Sequence, residues 1–143
     1  MKALEIISHS ESETKSLAQK LAATFPEGEV LVLRGALGSG KTTFVKGLAI
    51  ARGIEEATVS SPTYTVVNEY PSERPIFHFD LYRINDPTEL YEIGWDDYIG
   101  RTGLTVVEWG EKAQDKLPSQ YYLIDFSIVG ETERKIVITR IGS

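Results

Sequence analysis

Cysteine is absent from this chain of 143 residues. Its absence excludes disulfides, thiolate metal sites and a cysteine nucleophile together, and it fits a reducing compartment. Basic residues are also in deficit, with 15 Lys and Arg against 21 Asp and Glu and a formal net charge of -6. Lys and Arg supply most non-specific affinity for nucleic acid by neutralising phosphates, so an acidic chain is a poor free-standing nucleic-acid binder. Work on nucleic acid is therefore expected only through a partner. Long apolar runs are missing too. Nothing approaches a membrane span, and Met1-Lys2-Ala3-Leu4 is not followed by an apolar segment long enough for a signal peptide. A cytoplasmic protein is the expectation. No repeat, low-complexity tract or Pro/Gly-rich linker divides the sequence, so residues 1–143 are read as a single domain.

What is present is concentrated at Gly35–Thr42, which reads Gly-Ala-Leu-Gly-Ser-Gly-Lys-Thr. This is a complete G-x-x-x-x-G-K-[ST] phosphate-binding loop. Val30-Leu31-Val32-Leu33 before it is an apolar run of strand type, and Thr43 to Ala51 after it is of helix type. The motif needs that context, because only then do loop N–H groups and a helix N-terminus converge on one anion. The motif implies a bound nucleotide phosphate. Gly35 and Gly40 let the backbone curl where a Cβ would obstruct it. Lys41 reaches the β and γ phosphates, and the Thr42 hydroxyl is a Mg²⁺ ligand. Thr43 could cap the helix or contact the α-phosphate.

The remaining pattern is mixed. Leu4 to Ile7 reads as a strand, followed by a capping box with Ser10 as cap and Glu13 reaching back. Leu17, Ala18, Leu21, Ala22 and Phe25 follow at helical spacing, with Pro26-Glu27-Gly28 as the stop. Gly53 stops the second helix. Tyr64 to Tyr70 and Pro75 to Leu81 read as a hairpin around Pro71–Arg74. Asp86 is expected to cap a short helix with Pro87 in its first position. Leu104 to Glu108 reads as a strand buried on both faces, as in a parallel sheet. Tyr121–Phe126 and Lys135–Arg140 alternate around a turn near Gly130. The expected fold is α/β, a P-loop NTPase with a sheet of parallel centre and antiparallel edge strands, covered by few helices.

Hydrolysis or transfer needs an acidic residue at a strand C-terminus, to hold Mg²⁺ or orient water. Glu108 ranks first, because its strand should lie beside the loop strand. Asp80 follows a strand read as alternating, which leaves its direction open. Asp125 is read as a solvated residue of the late hairpin. Ser61 and Thr63 lie where P-loop proteins place a γ-phosphate sensor, although Ser-Pro sequences also make plain turns. His78 has no partner histidine at metal-ligand spacing and is read as a core or strand-face residue. Trp109 could shield the site, meet a partner or sit in the core. Arg83 is read as pairing on the surface with Asp80 or Asp86. No guanine-reading Asn-Lys-x-Asp run occurs, which favours ATP over GTP.

Four runs then resemble one family in order and spacing. They are Gly35–Thr43, Ser61-Pro62-Thr63-Tyr64-Thr65, His78-Phe79-Asp80-Leu81-Tyr82-Arg83 and Val107-Glu108-Trp109. They resemble the signature runs of the TsaE family, also called YjeE, P-loop ATPases needed for the threonylcarbamoyladenosine modification of tRNA. The resemblance covers nearly the whole chain and is weakest over Asp115–Ser143. It implies ATP binding with slow hydrolysis, Mg²⁺ as the metal, and a complex with TsaD and TsaB on tRNAs that read ANN codons. It implies phosphates on Leu37, Gly38, Ser39, Gly40, Lys41 and Thr42, and Mg²⁺ on Thr42 and Glu108. It also implies Asp80 close to the nucleotide, Thr14 and Arg134 flanking it, and a functional Trp109. A small-molecule kinase is the alternative from the loop alone. Its Arg-bearing lid is poorly matched by residues 82–103, which are mainly acidic and aromatic.

Overall fold

The computed structural model describes residues 3–62, 65–99 and 101–142. Seven strands form one sheet in the order β1-β7-β6-β2-β5-β4-β3. The strands are β1 (Leu4–Ser8), β2 (Glu29–Arg34), β3 (Val67–Tyr70), β4 (Ile76–Asp80), β5 (Leu104–Glu108), β6 (Tyr121–Ile128) and β7 (Arg134–Ile141). Neighbours β6-β2, β2-β5 and β5-β4 are parallel, while β3-β4, β6-β7 and β1-β7 are antiparallel. The expected parallel centre with antiparallel edges is thus observed. Among the described residues, no helix is long and apolar enough to cross a membrane.

Helices α1 (Glu11–Ala22) and α2 (Lys41–Ala51) cover one face of the sheet. Ser10 caps α1 as its pattern predicts, its hydroxyl accepting from Glu13 N at 3.1 Å. The Glu13 carboxylate, however, meets the His9 ring at 3.2 Å. α1 and α2 pack at Gly47, where a Cβ would run into the Lys15 carbonyl and the Ala18 methyl. Beneath them, Leu31, Leu33, Val106, Ile124, Phe126 and Ile136 close the first core. On the other face, α3 (Glu89–Glu92) and α4 (Trp95–Tyr98) bury Leu90 and Trp95 against Val32, Phe77, Phe79 and Val107. Phe79 meets the Trp95 ring edge-on at 5.0 Å.

Three expectations change. β4 is buried along its whole length instead of alternating, because α2 lies on one side and α3–α4 on the other. β3 starts only at Val67: Val66 stands at a φ of 70° and donates to the Pro62 carbonyl at 2.7 Å, forming a turn before the strand. Asp86 does not cap α3. Its carboxylate accepts from the Thr88 amide and hydroxyl, both at 3.0 Å, closing a turn ahead of a helix that begins at Glu89. Glu89 in turn reaches back to the amides of Asn85 and Asp86.

Candidate functional site: a cleft over the loop between β2 and α2

The chain leaves β2 at its C-terminal end, turns through Gly35 and enters α2 at Lys41. Gly35 adopts a φ of 154°, and a Cβ there would lie 2.7 Å from both the Phe126 carbonyl and the Ser39 hydroxyl. Crowding and backbone conformation both require glycine. At Gly40, the N-cap of α2, the φ is 107° but a Cβ would find room, so conformation alone is the constraint. Obstruction was the wrong reason at that position. Gly40 has no side chain to cap the helix. The first-turn amides of α2 are therefore left for an acceptor from outside, where the helix dipole favours an anion.

The loop lines a cleft of about 1210 Å³, an ample volume for a nucleotide-sized ligand. Gly38, Gly40, Lys41, Thr42, Thr43 and the exposed Leu37 form its floor and lip. Ser39 is the exception: it is buried, and its hydroxyl, turned inward, has no hydrogen-bond partner. Ser39 can meet a ligand only through its backbone. Thr14, in the first turn of α1, is buried at one wall and shares a 2.7 Å hydrogen bond with the Ser8 hydroxyl. Arg134, paired across the sheet with Ser8, lines the cleft on the same side. Its guanidinium donates to Gly38 O at 3.2 and 3.1 Å and to the hairpin carbonyls of Gly130 and Glu133 at 3.1 and 2.9 Å. It ties the β6–β7 turn to the loop.

The chemistry gathers at the far end of the cleft. Lys41 Nζ donates to Gly35 O at 2.7 Å and lies 3.5 Å from Glu108 Oε1. β5 pairs with both β2 and β4, bringing Glu108 beside Leu33 on one side and beside Asp80 on the other. Asp80 is buried, with Oδ1 accepting from Tyr82 N at 2.9 Å. Glu108 is buried as well, and burial alone would raise its pKa. The hydrogen bond and charge of His78 and the Lys41 ammonium outweigh that, holding the carboxyl below the ordinary glutamate range. Hard oxygen donors on Thr42, Glu108 and Asp80 fit a Mg²⁺ ion that keeps phosphate and water ligands.

Ser61 is exposed and lines the cleft beside them; Thr63 lies outside the described residues. Trp109 is not a core residue. It stands 40% exposed at the cleft mouth with a φ of 60°, its ring 5.0 Å from that of Tyr82. Arg83 is exposed and does not line the cleft. Asp125 is apart from the site, paired with Arg34 at 2.6 Å.

Sequence reasoning placed His78 in the core, which is correct, but missed its bonding. Its ring is fully buried, Nε2 lying 2.7 Å from Glu108 Oε2 and Nδ1 3.1 Å from the Tyr70 hydroxyl. The available signal was its two-residue spacing from Asp80, which puts both side chains on one face of β4.

Fold and site together define a mixed α/β protein organised around a G-x-x-x-x-G-K-T loop at the C-terminal edge of a parallel sheet. The model of one family, "Threonylcarbamoyl adenosine biosynthesis protein TsaE", matches residues 8–136. The chain belongs to the TsaE family. It is 39% identical to the tRNA threonylcarbamoyladenosine biosynthesis protein TsaE of Bacillus subtilis, over all of this chain and 89% of the relative. With the protein of the same description from Aquifex aeolicus it shares 41% identity, over 95% of this chain and 96% of the relative. The crystal structure of Bacillus subtilis YdiB superposes with a TM-score of 0.80 at 32% identity, over 99% of this chain and 87% of that one.

Proposed function

We propose that this protein is a Mg²⁺-dependent ATPase of tRNA threonylcarbamoyladenosine biosynthesis. It works with TsaD and TsaB and meets tRNA only through that complex, for the modification of tRNAs that read ANN codons. The observation that carries the reading is the convergence of Lys41 and Glu108 at 3.5 Å beside an uncapped helix N-terminus. Family membership supplies the pathway.

In this reading the loop amides from Gly38 to Thr42 bind the phosphate oxygens, with Thr14 and Arg134 walling the nucleotide. Thr42 and Glu108 would hold the Mg²⁺, which supplies charge neutralisation between the β and γ phosphates. Lys41 neutralises the γ-phosphate oxygens as charge develops on them. Asp80 orients a water for in-line attack. Ser61 stands at the γ-phosphate end, where its hydroxyl can sense whether that phosphate is present. Among the described lining residues the cations are Lys41 and Arg134. Arg134 is engaged at Gly38 and the hairpin turn, away from the Glu108 end. Turnover by the protein alone is therefore slow, and a partner accelerates it.

The kinase alternative loses its lid. Residues of α3 and α4 are buried on the opposite face of the sheet from the cleft-forming α2. The test is ATP turnover by the purified protein, alone and with TsaB, TsaD and tRNA. Release of free phosphate that increases with the partners is expected. Transfer of the γ-phosphate to a metabolite would favour the kinase, and no ATP-dependent reaction in either setting would overturn the proposal.

A further inference from the structure

Among the described carboxylates lining the cleft, Glu108 alone meets a buried imidazole, and its two oxygens have different surroundings. Oε2 lies 2.7 Å from His78 Nε2, inside the protein. Oε1 lies on the Lys41 side at 3.5 Å. Behind the imidazole, Nδ1 is 3.1 Å from the Tyr70 hydroxyl. That hydroxyl also faces the Ser60 carbonyl at 3.0 Å and accepts from the Ser60 amide at 3.2 Å. Ser60 immediately precedes Ser61, which lines the cleft. One line of hydrogen bonds thus runs from Glu108 through His78 and Tyr70 to the segment at the cleft's far end.

An ionised carboxylate accepts and does not donate, so Nε2 must carry a hydrogen wherever the phenolic hydrogen points. A hydrogen bond to a buried carboxylate is directional and charge-assisted. Without it, Oε2 would be left buried and unpaired, and the carboxylate would turn toward Lys41 to recover a partner. That rotation would withdraw both Oε1 and the Lys41 ammonium from a ligand. We propose that His78 is a positioning residue: it anchors Oε2 so that Oε1 is presented to the metal and phosphate side of the cleft, and Tyr70 links that orientation to the Ser60–Ser61 segment. This rests on the ATPase reading for its consequence, though not for its geometry.

Three substitutions separate positioning from packing. In His78→Gln the carboxamide N–H can take the place of Nε2–H. His78→Asn is too short to reach Glu108, and His78→Leu fills space without donating. Supporting groups of this kind are worth about 10- to 100-fold in metal affinity or activity. The Leu and Asn variants are expected to lose that much Mg²⁺ affinity, measured by titrating Mg²⁺ into the protein with a fluorescent ATP analogue. Their analogue binding in EDTA should fall by less than their Mg²⁺ affinity, and Gln should recover most of both losses. Gln falling as far as Leu, or Leu keeping the wild-type Mg²⁺ response, would overturn the proposal. Tyr70→Phe should give a smaller loss of the same sign, and a wild-type response there would remove the Tyr70 link.

A second measurement needs neither variant folding nor nucleotide. The chain has two histidines, so a long-range ¹H–¹⁵N spectrum of the unliganded protein resolves both rings. His78 Nε2 should be protonated; an unprotonated Nε2 would overturn the proposal. If the wild-type protein neither binds nor turns over ATP, the ATPase reading fails while the spectrum still decides the geometry. If ATP turnover is normal and indifferent to His78, this inference alone fails.

Discussion

β2 is flanked by two parallel strands, and each brings a carboxylate close to the end that feeds the loop. From β5, Glu108 stands opposite Leu33; from β6, Asp125 stands opposite Arg34. That single step in register puts the two on opposite faces of the sheet. Glu108 turns toward α2, where His78 and Lys41 receive it, and its side chain is 6% exposed. Asp125 turns to the other face, where Arg34 meets it and its side chain is 32% exposed. Nearness to the loop along the strand is therefore not enough. Face parity and cover decide which carboxylate can do chemistry, because a buried charge is held in one orientation and a half-exposed one is screened by water.

Removing each partner in turn sharpens the contrast. Lys41→Ala and Glu108→Ala should each cut ATP turnover by at least about 10²-fold, the scale for losing one preorganised electrostatic group. Glu108→Ala should lose turnover more than nucleotide binding, so steady-state kinetics paired with equilibrium binding checks the assignment. Equal losses in both would move Glu108 out of the reacting end. Gly35→Ala, on the shared loop, should destabilise by about 1–3 kcal/mol through backbone strain and contact with the Phe126 carbonyl, read by urea denaturation.

The pH dependence should differ as well. The pKa of Glu108 is lowered on folding, so the unfolded chain binds more protons over the window between the two values. Its contribution is fully present above the ordinary glutamate range and is lost as pH falls through the lowered folded value. Denaturation of the unliganded Glu108→Gln protein from neutral to acid pH should show a flatter acid limb than wild type. Smallest of all, Asp125→Asn should change stability by about 1 kcal/mol or less and leave turnover intact. A large loss of turnover there would break the comparison outright.

Much of this was legible beforehand. The loop, its flanking strand and helix, the Ser10 cap and the buried β5 all follow from local patterns, and Thr14 and Arg134, carried over by resemblance, line the cleft. β4 was misread because alternation presumes one solvated face, whereas helices cover both, α2 on one side and α3–α4 on the other, and the pattern of β4 itself does not reveal that cover. Asp86 was misread because its carboxylate had a nearer partner in Thr88 than the helix end. Glu108 was found by its place at a strand end, but His78 beneath it was not, since that bond spans two strands.

By itself the sequence determined the phosphate loop. A left-handed turn at Gly40, a positive φ at Gly35 and a lysine at the first turn of a helix are demands of local backbone conformation and hydrogen bonding, written in consecutive residues. Only the tertiary structure decided which acid answers that lysine. Register and sheet order place β5 between β2 and β4, so that Glu108 receives Lys41 from one side and His78 from the other. Such a choice depends on which strands pair and which faces are covered, and neither is contained in any short stretch of chain.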